Sequence, residues 1–87
     1  MSKKLDGAVV VVTGASSGIG RATGRAFAEQ GARVVVAARR AAALEELARA
    51  CQAAGGQALA VPTDVTDEAA VADLARRAIE RFGRIDI

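Results

Sequence analysis

The sequence predicts an α/β fold, a parallel β-sheet held between two layers of helices. Three short apolar runs, centred on Val9–Val12, Val34–Val36 and Leu59–Val61, alternate with three longer segments whose apolar residues recur at helical spacing. The first two runs are consecutive valines, β-branched and apolar on both sides, which suits strands buried on both faces of a parallel sheet. The alternation β-α-β-α-β-α-β then dictates right-handed crossovers.

Each element follows from local chemistry. Residues 2–7 form a polar lead-in that closes on an Asp6-Gly7 turn, and strand one runs over residues 8–13. A helix over residues 18–30 carries Ile19, Thr23, Ala26, Phe27 and Gln30 on one stripe, and Gly31 stops it. Gly24 inside that helix costs up to ~1 kcal/mol relative to alanine, and close packing on the sheet is the expected reason for it. Strand two covers residues 33–38. Arg39-Arg40 leads into a helix over residues 41–54 with Leu44, Leu47, Ala48 and Cys51 on its buried face. Cys51 there reads as a small buried hydrophobe rather than a reactive thiol.

Gly55-Gly56 is a helix stop, and strand three spans residues 57–61 or 62. Thr66 is expected to cap a helix over residues 67–82, with Asp67 and Glu68 in its first turn. Its apolar stripe is Val71, Leu74, Ala75, Ala78, Ile79 and Phe82, and Gly83 ends it. Residues 84–87 read as the opening of a fourth strand, giving spatial order 3-2-1-4 with strand one in the middle.

Composition narrows the function. Eighty-seven residues make one small domain at most. The net charge of +2 is scattered and there is no Trp or Tyr to stack bases, so nothing points to nucleic acid. No stretch approaches the ~20 apolar residues of a membrane span, so a cytoplasmic location is expected. A single cysteine agrees with a reducing compartment, and the absence of His argues against a metal site.

The chemistry concentrates in Thr13-Gly14-Ala15-Ser16-Ser17-Gly18-Ile19-Gly20. A strand, a glycine-rich turn and a helix start aim backbone N–H groups and the positive end of a helix at a phosphate. Gly14 lets the chain leave the strand, Gly18 leaves room for a pyrophosphate, and Gly20 lets the first helical turn approach the strand. Ser16 and Ser17 add hydroxyl donors. The spacing is G-x-x-x-G-x-G rather than G-x-G-x-x-G, and the plain alternative is a tight strand-to-helix turn.

After strand two a dinucleotide fold meets the adenosine ribose, where an acid would favour NAD. Here Ala38 stands at that place, followed by Arg39 and Arg40. A guanidinium pairs with a 2′-phosphate in bidentate fashion, whereas two cations beside a positive helix end are otherwise unfavourable. Arg40 can share the phosphate or lie over the adenine face. The competing reading is a solvated helix start.

These residues resemble the short-chain dehydrogenase/reductase family: T-G-A-S-S-G-I-G after a valine strand, Asp64-Val65 after strand three, and Arg81-Phe82-Gly83-Arg84-Ile85-Asp86-Ile87. The resemblance implies a Rossmann-type three-layer sandwich and cofactor contacts from Gly14, Ser16, Ser17, Gly18, Ile19 and Gly20. It also implies NADP(H) favoured over NAD(H) through Arg39, and an adenine site at Asp64 and Val65. Ser17 stands where some NADP-preferring relatives carry a basic residue, which makes the expected preference partial. The family's Asn-Asn-Ala-Gly motif and its Ser with Tyr-x-x-x-Lys are not in these 87 residues, which hold no Tyr at all.

Residues 1–87 are therefore expected to be the first part of one NAD(P)-binding domain, interrupted at the start of its fourth strand and inactive alone. Hydride transfer to an alcohol or ketone, and any homo-oligomer, are expected of the complete protein. The alternative is a free-standing nucleotide-binding module without catalysis.

Overall fold

Valine decides the middle of the molecule. In the computed structural model, which describes residues 5–15 and 18–87, the strands are β1 (Val9–Thr13), β2 (Arg33–Ala38) and β3 (Gln57–Pro62). Between and after them lie the helices α1 (Gly18–Glu29), α2 (Ala41–Ala53) and α3 (Glu68–Phe82). All pairings are parallel, with β2 central: Val10 lies opposite Val34, and Val34 opposite Ala58. The result is the expected Rossmann-type arrangement.

Alternation along the strands divides the core in two. Val10, Val12, Val34 and Val36 face α1 and α2, and meet Ala28, Leu44, Leu47 and Cys51. Val9, Val35, Ala37 and Val61 face the other way and meet Leu74, Ala78 and Phe82 of α3. Cys51 is fully buried as expected, and burial pushes its thiol pKa up.

Several expectations need correction. The buried face of α1 is Gly24 and Ala28 with Thr23 and Phe27 half-buried, while Ile19, Ala26 and Gln30 are exposed. A stripe located by large apolar side chains misses a face made of the smallest ones. In α3, Leu74, Ala78 and Phe82 are buried, but Val71 and Ile79 stand exposed at the margins of the stripe.

The cap of α3 is Asp67, not Thr66. The Asp67 side chain accepts from the N–H groups of Ala69 (3.0 Å) and Ala70 (3.4 Å). A carboxylate one residue later reaches the same orphan donors and also complements the helix dipole. The three glycine stops behave as expected, Gly31 and Gly83 taking φ 85° and Gly55 φ 107°.

Residues 84–87 form no regular strand. Their backbone nevertheless docks on β1. Ala8 turns its carbonyl to Arg33 of β2 (2.7 Å), so Val9 and Val11 present theirs to the opposite edge. There the Val9 carbonyl accepts from Ile87 N–H (3.2 Å), and Val11 N–H donates to the Ile87 carbonyl (3.0 Å). This pair of bonds brackets Val10 as a parallel ladder does. Asp86 reinforces it by accepting from Val9 N–H through Oδ2 (2.8 Å) and from Arg84 through Oδ1 (2.6 Å).

Finally, close packing does not require Gly24. A Cβ there would lie 3.7 Å from Val36 Cγ1 and 3.8 Å from Leu47 Cδ2, ordinary contact distances. Gly24→Ala is accordingly expected to stabilise the fold by about 0.5–1 kcal/mol, measured by chemical denaturation. A destabilised variant would show that the helix cannot accommodate the methyl group.

Candidate nucleotide-binding site

The site is built where the parallel strands end. β1 stops at Thr13, and Gly14 turns the chain with φ 64°, a left-handed conformation that disfavours any side chain. Ala15 is fully buried and its N–H donates to the Ala37 carbonyl at 3.1 Å, which ties the turn to the end of β2. α1 begins at Gly18. Ser16 and Ser17, expected as hydroxyl donors, lie outside the described residues.

Gly18 and Gly20 divide the work between them. A Cβ on Gly20 would collide with the Gly14 carbonyl oxygen and lie 2.9 Å from Ala15 Cα, so the first turn of α1 sits on the strand-to-helix turn. At Gly18 a Cβ would meet nothing within 4 Å among the described residues. One glycine permits helix-on-turn packing; the other leaves open space above the start of the helix.

β2 and β3 supply the adjoining wall. Ala38 is buried, Arg39 and Arg40 are exposed, and Thr63 N–H continues the ladder by donating to the Ala38 carbonyl at 2.7 Å. Gly14, Ala38, Arg39, Arg40, Thr63 and Val65 line a cleft of ≈ 300 Å³ across the strand ends. Larger hollows lie elsewhere: two, of ≈ 480 and ≈ 370 Å³, open at the opposite ends of the strands around Asp6, Gly7 and Arg33, and one of ≈ 310 Å³ lies between Leu59 and the Arg77–Arg81 turn of α3. Volume does not select the site. In parallel α/β sheets ligands bind outside the carboxyl ends of the strands.

Asp64 has several partners there. Its Oδ1 accepts from Thr66 N–H (2.9 Å), Thr66 Oγ1 (2.6 Å) and Arg39 Nη2 (3.2 Å). The two Thr66 bonds, followed by the Arg39 guanidinium, hold the Asp64 carboxyl below the usual aspartate range.

The helix starts differ in charge. α1 and α2 carry no acidic residue in their first turns, and the α2 cap position is Arg40, with no side-chain cap bond. α3 carries the Asp67 cap and Glu68. The two positive helix ends beside the cleft are thus left without a carboxylate of their own, while the third is neutralised.

A family model described as short chain dehydrogenase matches residues 8–87. The chain belongs to the short-chain dehydrogenase family.

Among its curated relatives, the cis-4-hydroxycyclohexanecarboxylate dehydrogenase of Sinomonas cyclohexanicum is 53% identical over 79 residues, covering 91% of this chain and 31% of that protein. Among solved structures, a hydroxysteroid dehydrogenase from Escherichia coli superposes with TM-score 0.92 at 41% identity, over 95% of this chain and 35% of that one. An NAD+-bound xylitol dehydrogenase gives TM-score 0.92 at 36% identity, over 97% and 32%. The chain spans about a third of the length of the first relatives it matches, at 32%.

Within this short-chain dehydrogenase fold, the described residues among those singled out by sequence fall at the carboxyl ends of the strands. Gly14, Arg39, Arg40 and Val65 line the cleft, Asp64 joins it through Arg39, and Gly18, Ile19 and Gly20 form the start of α1. Ile19 is 85% exposed and packs on no core, so the stripe position first expected of it does not hold.

Two residues have roles at the site that the sequence reading does not give them. Thr63, buried and lining the cleft, spends its hydroxyl on the Val61 carbonyl (2.9 Å). No sequence signal marks it, because its role follows from strand register. Thr66 ties down Asp64, and the Asp-x-Thr spacing of a side-chain turn was the available signal.

Proposed function

We propose that residues 1–87 form the cofactor-holding first part of a single short-chain dehydrogenase domain that transfers hydride between NADP(H) and an alcohol or ketone. The observation that carries the reading is the pair of helix starts beside the cleft, α1 and α2, without acids of their own and flanked by Arg39 and Arg40. An elongated, polyanionic dinucleotide complements both at once. The room above Gly18 suits its pyrophosphate, and Arg39 suits a 2′-phosphate. Asp64 and the Val65 backbone are assigned to the adenine ring, a reading supported by Val65 lining the cleft and by the Asp64 bond to Arg39 at its rim.

When bound, the nicotinamide supplies or accepts the hydride. The residues of this chain bind and orient the dinucleotide. They supply no Tyr or His for the proton that carbonyl reduction requires, so that donor, the substrate pocket and any homo-oligomer contacts belong to the remainder of the complete protein. No helix among the described residues is long and apolar enough to cross a membrane.

Titration of NADP+ and NAD+ by calorimetry, in the protein that carries this chain, tests the reading. A bidentate charge-assisted contact is worth roughly 1.5–3 kcal/mol, so NADP+ is expected to bind about 10- to 100-fold more tightly. Arg39→Asp is expected to reverse the order, by removing the cation and repelling the phosphate. Equal affinities in the wild type, or tighter NAD+, would sink the NADP assignment.

A further inference from the structure

The Arg39 and Asp64 side chains, projecting from the ends of neighbouring strands, meet across the rim of the cleft. We propose that this ion pair is an exchangeable latch, opened by a 2′-phosphate and left closed by a 2′-hydroxyl, so that Asp64 sets the strength of the cofactor preference through Arg39. The proposal rests on the NADP reading above and assigns Asp64 a positioning role toward Arg39 in addition to any contact with adenine.

The geometry is that of a bond made to be exchanged. It is a single contact, Nη2 to Oδ1 at 3.2 Å, between side chains 69% and 44% exposed. Solvent screening limits such a pair to an equilibrium factor of about 1.5 to 5. Arg39 engages one of its five N–H donors in this bond, whereas a phosphate takes two in parallel. Asp64 loses little when Arg39 leaves. Its Oδ1 still accepts from Thr66 N–H and Thr66 Oγ1, which keeps the turn after β3 in place.

A dinucleotide without the 2′-phosphate leaves Arg39 on Asp64 and occupies the cleft beside the closed pair. One with the phosphate must first draw Arg39 away from a carboxylate that competes for it. Asp64 therefore opposes the preference that Arg39 creates, and moderates it.

The test is a double-mutant cycle read as the ratio of NADP+ to NAD+ affinity, with both dissociation constants measured by calorimetry. Any change in adenine binding caused by a substitution at position 64 cancels in the ratio, because both dinucleotides carry the same adenine. Asp64→Asn retains an oxygen that accepts from Thr66, so the turn survives, and the preference for NADP+ is expected to rise about two- to fivefold. In an Arg39→Ala background the same substitution is expected to leave the ratio unchanged.

A ratio unmoved or lowered by Asp64→Asn in a wild type that prefers NADP+ overturns the latch alone. So does an equal shift in the Arg39→Ala background, since the carboxylate would then act on the phosphate directly. A wild type without preference for NADP+ overturns the underlying reading, and the latch with it.

Discussion

Gly20→Val is expected to lose stability and dinucleotide affinity together, whereas Gly18→Val loses affinity alone. The two glycines stand on either side of Ile19 and look equivalent in the sequence. The structure separates them. A Cβ on Gly20 runs into the Gly14 carbonyl and the Ala15 backbone. Backbone cannot rotate aside as a side chain can, and Ala15 is anchored by its bond to Ala37. Overpacking of this kind costs about 1–3 kcal/mol, and relief by moving α1 would displace the helix start that faces the ligand.

At Gly18 none of the described residues offers an obstruction, so denaturation of Gly18→Val should match the wild type within about 0.5 kcal/mol, as at other unobstructed surface positions. Its valine would occupy the space assigned to the pyrophosphate. Losing even one charge-assisted bond there weakens binding by about 10-fold or more. The decisive measurements are a urea titration and a calorimetric titration of each variant. Unchanged affinity in Gly18→Val would mean that the glycines serve only the turn. Wild-type stability in Gly20→Val would mean that α1 does not rest on that turn.

Leu47→Ala carries the largest expected loss of stability, about 2–5 kcal/mol. Leu47 is fully buried between α1 and the sheet, with its Cδ2 3.8 Å from the place a Cβ on Gly24 would take. Its neighbours on the opposing face are valines and alanines, stiff or short side chains that cannot swing into the vacated volume. Against a typical net stability of about 5–15 kcal/mol the substitution removes a large share. Val71→Ala is the control. Val71 is 40% exposed at the margin of α3, and its truncation should cost well under half as much. Similar midpoints for the two variants in urea would refute the assignment of Leu47 to the core.

The division between the two faces explains what a pattern can and cannot reveal. The valine runs identified the strands because β-branched residues on both faces suit few other structures. The α2 face was legible for the same reason, Leu44, Leu47, Ala48 and Cys51 being distinct from the charged residues between them. Where the buried face is made of Gly24 and Ala28, hydropathy carries almost no signal, and of the expected stripe Ile19, Thr23, Ala26, Phe27 and Gln30 only Thr23 and Phe27 reach the half-buried margin.

By itself the sequence determined the order of elements, the parallel sheet, the glycine turn and the residue types at the ends of β1, β2 and β3. These are local properties: periodicity, β-branching, glycine spacing and charge read within a dozen residues. Tertiary structure alone decided that Arg39 and Asp64, 25 positions apart, share a bond, because that depends on the register of β2 against β3. It also decided that Gly20 is crowded and Gly18 open, since the obstruction comes from the turn of Gly14 and Ala15 folding back on α1. The neighbourhood of residues 84–87 and β1 is legible as the order 3-2-1-4, but only the tertiary structure decided that Asp86 and Ile87 bond to Val9 and Val11 there without forming a regular strand. Contacts between segments distant in the chain follow from register and packing, which no short window of residues encodes.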